Sequence, residues 1–320
     1  MQKYLKNIVN PFYFKKNSFP LTKNEKALNY LCAIKRTNMR SIKNILTTTL
    51  THDSKETIGI CLGGGGALGF AHIGVLQALE DNLIFPDVIS GSSMGAIIGS
   101  LYAAGYTPAQ MLQLIKDDKL YKITKLMSFQ PAFWKSGFSD HTAIISLMNE
   151  LIPNNSFEKL EKPMHVCVSN LSTNGWEIVD TSNKLDIWVS ASASIPGVFN
   201  AMKINDMLYV DGGLLNNMPA QPLKNKCTVI IGSDVILPSS VHKNLKPRDI
   251  LVASIRTVQH QNSFPGRESC DYLIEPNAIE KYHEFSYEFF QPIYQYGYRT
   301  ATQFIVNHPD ILKLQKKTQA

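Results

Sequence analysis

The chain has 320 residues, 44% of them hydrophobic, enough apolar material for one large α/β domain or two small ones and too much for a disordered main body. The net charge of +6 is uneven: the first 57 residues hold eleven Lys or Arg against three acids, so the basic excess lies there and the remainder is net −2. Five scattered cysteines (Cys32, Cys61, Cys167, Cys227, Cys270) fit neither a disulfide framework nor a zinc pattern, no apolar run approaches the roughly 18 residues of a membrane span, and the N-terminus lacks a signal-peptide core.

In chain order, residues 1–56 read as a basic extension, with helices expected around Asn24–Ile34 and Met39–Leu46. The body opens with a buried strand, Thr57–Leu62, then a glycine run, then a helix, Phe70–Asp81, with apolar residues at Ile73, Leu76, Leu79 and neighbours. A second buried strand over 86–90 leads into Gly91-Ser92-Ser93-Met94-Gly95 and a helix from Ala96 to Ala104. Pro108 fits the first turn of a helix reaching about Asp117. Residues 118–139 are rich in aromatics (Tyr121, Phe129, Phe133, Trp134, Phe138) and read as a long loop or lid, followed by a helix over His141–Leu151. Met164–Ser169 and Trp176–Asp180 alternate like paired strands, and Leu185–Ala193 has helical spacing. Short strands are expected at Met207–Val210, Thr228–Ser233 and Tyr272–Glu275. A helix is expected over Ile250–Gln261, then one or two over Tyr287–Val306, broken near Pro292 and Gly297, and a frayed basic end over Lys313–Ala320. Alternating strands and helices predict a mostly parallel sheet with helices on both faces.

Three constellations carry chemistry. The first is the G-x-S-x-G stretch Gly91–Gly95, set between strand and helix as a nucleophile elbow. Gly91 and Gly95 lack a Cβ that would collide with the strand and helix, and the helix N-terminus directs free N–H groups toward Ser93. The second is Gly63–Gly69. It matches a dinucleotide-type G-x-G-x-x-G at 64–69, but the second strand ends in Ser90-Gly91-Ser92-Ser93 rather than in the acid that a ribose requires. The other reading is an oxyanion hole, a concave run of glycine N–H donors at a helix start. The third is Asp211-Gly212-Gly213 after a short strand, either a tight turn or a carboxylate base 118 residues beyond the serine. None of the eight histidines lies in a recognisable triad context; His72 reads as a packing or capping residue. A two-residue Ser–Asp device is chemically possible, with a dry pocket and an oxyanion hole carrying much of the barrier reduction.

These motifs, in this order and spacing, resemble the patatin-like phospholipases. Gly69-Phe70-Ala71-His72-Ile73-Gly74-Val75-Leu76, Ala191-Ser192-Ala193-Ser194-Ile195-Pro196-Gly197-Val198-Phe199, Val210-Asp211-Gly212-Gly213-Leu214 and Asn216-Asn217-Met218-Pro219 look like the bacterial branch similar to neuropathy target esterase. The resemblance covers about 57–235 as a catalytic core. It continues more weakly through 236–320 as the rest of the same α/β domain, where Gly297-Tyr298-Arg299-Thr300-Ala301 is similar to the family's last helix. It implies a three-layer α/β/α fold and hydrolysis of acyl esters in phospholipids or lysophospholipids through an acyl-enzyme. By motif position it makes Ser93 the nucleophile and Asp211 its base. It places the oxyanion donors among the N–H groups of Gly64, Gly65 and Gly66, with Gly69, Gly91, Gly95, Gly212 and Gly213 as flanking turn residues. One departure stands out: Leu68 occupies a position where the family usually has Arg or Lys, which favours an alternative, a catalytically weak lipid-binding or regulatory protein. A soluble short-chain esterase or thioesterase is the other alternative.

No metal or cofactor is expected, since there is no His/Cys ligand cluster and no H-E-x-x-H. The basic extension reads as a solvated tail or as a contact with anionic membrane, and no nucleic-acid module accompanies it. The expected location is cytoplasmic or peripheral to a membrane, with export by a dedicated secretion system a further option.

Overall fold

The computed structural model describes residues 56–117, 141–236, 247–279 and 281–316. The basic extension with its two expected helices and the aromatic segment 118–139 lie outside the described residues.

The first strand, β1 (Ile58–Leu62), is buried along its whole length. Its side chains alternate between two cores: Ile58, Ile60 and Leu62 enter a large cluster, while Cys61 enters a smaller one with Met218, Leu223 and Ile230. Burial on both faces is what a parallel sheet covered by helices requires, and it explains the unbroken apolar run. A 3₁₀ turn (Gly66–Gly69) leads into α1 (Phe70–Asp81), then β2 (Val88–Ser92) and α2 (Met94–Ala103). Next comes α3 (Pro108–Lys116), which starts at a capping box between Thr107 and Gln110 with Pro108 in the first turn. The remaining elements are α4 (Thr142–Leu151), β3 (Met164–Asn170), β4 (Gly175–Val179), α5 (Leu185–Ser192), β5 (Met202–Ile204), β6 (Met207–Asp211), β7 (Val229–Ser233), α6 (Pro247–Arg267), β8 (Tyr272–Ile274) and α7 (Phe290–Asn307).

The eight strands form one sheet in the hydrogen-bonded order β5–β6–β3–β2–β1–β7–β8, with β4 also pairing with β3. Strands β3, β2, β1, β7 and β8 run parallel, and β4, β5 and β6 are antiparallel to their neighbours, so the sheet is mostly parallel. On one face the large core joins α1, α2, α4, α5 and α7. On the other, α6 packs on the segment after β6: Asn262 Nδ2 donates to Leu214 O at 2.6 Å, and a Cβ on Gly266 would fall 1.7 Å from Met218 O.

Strand β3 sets the site. Its residues Val166–Asn170 pair with β4 along one edge. The opposite edge is shared: β2 pairs with residues 164–167, and β6, arriving from the other direction, pairs with residues 168–170.

Four expectations need correction. Strand β5 was not anticipated; it forms a hairpin with β6 through Asn205-Asp206, both at positive φ, the conformation that a tight two-residue hairpin favours. Helix α6 is longer than 250–261 and carries Pro265 in its last turn. Helix α7 is unbroken: Pro292 lies in its first turn, where no N–H is needed, and Gly297 meets α1 backbone to backbone. A Cβ on Gly297 would sit 2.0 Å from Ala71 O, and one on Gly74 of α1 would sit 2.1 Å from Tyr294 O. The described part of the expected frayed end, residues 313–316, packs on the domain: Leu314 is buried beside Ile311, Lys316 N donates to Leu83 O, and Lys316 Nζ pairs with Asp87 at 2.8 Å.

Candidate active site

Strand β2 runs through Gly91 and Ser92, two residues further than expected, and Ser93 is the single residue between it and α2. Ser93 has φ 53° and ψ −124°, a conformation that L-residues rarely adopt and that the surroundings must enforce. The neighbouring backbone is packed too tightly for side chains on either side. A Cβ on Gly91 would come within 2.4 Å of Gly95 O, and one on Gly95 within 2.1 Å of Leu62 O. Ser93 N donates to Ser192 Oγ at 2.9 Å, and that hydroxyl donates to Cys167 O at 2.6 Å, so α5 holds the turn. Ser92 is buried and turned toward Gly212.

Ser93 Oγ donates to Asp211 Oδ2 at 2.5 Å. The other carboxylate oxygen, Oδ1, accepts Gly213 N–H at 2.8 Å, and Asp211 N donates to Ser194 O at 2.9 Å. Asp211 is fully buried, and this loss of hydration pushes its pKa up to about 7, against the opposing hydrogen bonds from Ser93 and Gly213. Ser93 is 3% exposed and opens, with Asp211, on a cleft also lined by Gly65, Gly66, Ile195, Ile255, Gln259, Glu284 and Phe285.

The glycine run divides by role. Gly63 N donates to Ser233 O, and Gly64 N to Asn217 O at 3.3 Å. Gly64 therefore has its N–H engaged and lies beneath Ser93, where a Cβ would come 3.0 Å from the serine's own Cβ. Gly65 and Gly66 line the cleft, and no backbone acceptor for their N–H groups is found among the described residues. Gly66 takes φ +54°, which suits only glycine at low cost. Gly69 lies against Met94, Gly212 against Cys167 O, and Gly213 against the side chains of Asn217 and Gln259.

Both ring nitrogens of His72 are engaged away from Ser93 and Asp211. Its Nδ1 meets Ser233 Oγ and its Nε2 meets Gly63 O, both at 2.8 Å, and burial lowers its pKa to about 4 even though the Gly63 bond favours the charged form. Leu68 is buried in the large apolar core and is not among the residues that line the cleft. Sequence reasoning missed Ser192, Gln259 and Glu284. Ser192 stood in a recognised stretch without a role, and nothing local marks the other two. Among the described residues no group of three or more His, Cys, Asp or Glu is arranged to hold a metal, and Cys61, Cys167, Cys227 and Cys270 are free thiols.

An α/β protein with a mostly parallel sheet and a strained serine between strand and helix belongs to a broad class of folds. The patatin-like phospholipase family model matches residues 60–224, and the chain belongs to that family. It is 24% identical over 305 residues to the lysophospholipase NTE1 of Kluyveromyces lactis, covering 84% of this chain and 20% of that protein. It is 31% identical over 170 residues to an uncharacterized NTE family protein of Mycobacterium bovis, covering 53% of this chain and 46% of the relative. The chain thus spans about a fifth to a half of the length of these relatives. Among solved structures, VipD from Legionella pneumophila aligns at a TM-score of 0.44 and 14% identity, covering 80% of this chain and 67% of that one. No helix of the described residues is long and apolar enough to cross a membrane.

Proposed function

We propose that this chain hydrolyses acyl esters of phospholipids or lysophospholipids with Ser93 as nucleophile and Asp211 as base. The observation that carries the reading is the direct 2.5 Å bond from Ser93 Oγ to a buried carboxylate beside a glycine-lined cleft. Asp211 Oδ2 takes the hydroxyl proton as Oγ attacks the ester carbonyl, and the carbonyl oxygen becomes an oxyanion. Gly65 and Gly66 N–H groups, aided by the N-terminus of α2, stabilise that charge; Gly64 is assigned to packing because its N–H is engaged. Collapse of the intermediate breaks the ester C–O bond, the proton passes to the departing alkoxide, and an acyl-Ser93 remains. Water then attacks this ester, Asp211 takes a proton from it, and Ser93 recovers its proton as the fatty acid leaves.

The lipid substrate rests on the family and on relatives named as lysophospholipases. The basic residues 1–56 supply attraction to anionic bilayers in this reading, worth ~1 kcal/mol per well-placed cation. The weak-enzyme alternative rests on the missing cation at position 68, where Leu68 packs into the apolar core.

Labelling with a fluorophosphonate followed by peptide mapping tests the reading, with Ser93 as the expected and dominant site. Hydrolysis of lysophosphatidylcholine compared with a water-soluble short-chain ester then separates a lipid hydrolase from a soluble esterase. Labelling at another serine, or none, overturns the nucleophile.

A further inference from the structure

Glu284 joins two walls of the cleft. Its main-chain carbonyl accepts Ala67 N–H at 2.8 Å and presses on Gly66, where a Cβ would come within 2.4 Å of that oxygen. Its carboxylate Oε1 lies 3.4 Å from Arg256 Nε, and both side chains are buried. Arg256 belongs to α6, whose Ile255 and Gln259 line the same cleft as Glu284 and Asp211.

We propose that Arg256 is a positioning residue for acyl transfer: through Glu284 it fixes the turn carrying the Gly65 and Gly66 N–H groups, and it neutralises the carboxylate of a residue that lines the same cleft. This inference rests on the Ser93–Asp211 reading above. Glu284 is held at two points, its carbonyl on the glycine turn and its carboxylate on α6. Freeing the carboxylate lets the segment shift and takes the pressure off Gly66. It also leaves a negative group without its ion-pair partner at a largely buried position, where charge acts more strongly than in bulk water. Both effects fall on the state in which the oxyanion exists, more than on bound substrate, so turnover suffers more than affinity. A merely structural ion pair would instead lower thermal stability and leave the folded enzyme's turnover unchanged.

The test uses the full-length protein and the rate at which an alkyl fluorophosphonate labels Ser93. In that step the Ser93 Oγ–P bond forms, P–F breaks, fluoride departs, the serine proton passes to Asp211, and negative charge gathers on the phosphoryl oxygen at the oxyanion position. Arg256→Gln should slow labelling and kcat roughly 10- to 100-fold, in line with a weakened oxyanion site, while KM stays within about 3-fold. Arg256→Lys, which keeps the charge but moves it away from the Nε position that faces Glu284, should fall between wild type and Arg256→Gln. Arg256→Gln combined with Glu284→Gln should label faster than Arg256→Gln alone, because the unpaired carboxylate is gone. Wild-type labelling by folded Arg256→Gln overturns the inference; should that variant not fold, wild-type labelling by Arg256→Lys with a lowered Tm overturns it. An equal rate in the single and double variants overturns the charge-neutralising part. A wild-type protein labelled at Ser93 yet inert toward lysophospholipid refutes the lipid reading and leaves this test intact. A wild-type protein not labelled at Ser93 overturns both.

Discussion

Ser92 and Asp211 end two strands that meet head to head along one edge of β3, Ser92 opposite Cys167 and Asp211 opposite Val168. One step past Ser92, the turn presents Ser93 Oγ to the Asp211 carboxylate, across 118 residues of sequence. The two groups are therefore held by adjacent rungs of one strand and do not depend on a loop for their spacing.

The raised pKa of Asp211 predicts an acid limb in the pH–rate profile. A carboxylate base must be ionised, so kcat/KM should fall about tenfold per pH unit below about 7, measured on a water-soluble ester between pH 5 and 9. Stability carries the opposite sign. A carboxyl whose folded pKa lies above its unfolded value of 3.8 weakens the fold increasingly as pH rises from about 4 to 7, and by a constant amount above that. Asp211→Asn should therefore be inactive, and its gain in Tm over wild type should grow across that window and then level off. A pH-independent Tm difference would show that Asp211 is not the titrating group.

Ser93→Ala should lower kcat by more than ~10³-fold, as expected for a lost nucleophile. The fold should persist, because the backbone bond from Ser93 N to Ser192 Oγ does not involve the removed hydroxyl. Purified Ser93→Ala protein is assayed beside its circular dichroism and melting curve; near-normal turnover would transfer the role to another residue.

Leu68→Arg should destabilise and not activate. A guanidinium there enters an apolar core with no partner, at a cost of at least ~3 kcal/mol. Leu68→Met, close in volume, should cost less than ~1.5 kcal/mol and keep turnover. Urea unfolding of the two variants checks the difference, and a stable, faster Leu68→Arg enzyme would mean that the side chain reaches the cleft.

Deleting residues 1–50 should spare hydrolysis of soluble short-chain esters and weaken sedimentation with anionic vesicles. The removed stretch holds most of the basic excess and precedes β1. Wild-type binding should itself fall as salt is raised, since screening shortens the reach of surface charge to ~8 Å near physiological ionic strength. Equal vesicle binding by both proteins at low salt would remove the membrane role of this segment.

Local patterns were legible where local chemistry decides them. Helix α1 matches its expected range to the residue, because glycines precede it and its apolar spacing is regular. The motifs around Ser93 and Asp211 stood out because close backbone approaches leave glycine little competition. Helix α6 outruns its expected range because its inner face is polar: Arg256, Gln259 and Ser263 are buried there, and Arg267 reaches Asp234 and Glu275, so no apolar period marks its length. Strand β5 has three residues, and only Asn205-Asp206 between β-like neighbours signals its hairpin. The placement of Glu284 on the glycine turn was out of reach, since it depends on a contact between residues more than 200 positions apart.

The glycine-to-backbone contact between α1 and α7 has a consequence for synthesis. The ribosome releases β1, the glycine turn and α1 early, yet the groove of α1 is filled only by Phe290–Asn307. Ala67 N–H likewise waits for the carbonyl of Glu284. Pairings of such long sequence separation form late and slowly. A nascent or prematurely terminated chain ending before Glu284 thus carries Ser93 and Asp211 but not the parts that shape the turn beside them. Hydrolytic competence should accordingly arise only after nearly all of the domain has emerged, a built-in delay between translation and the appearance of activity.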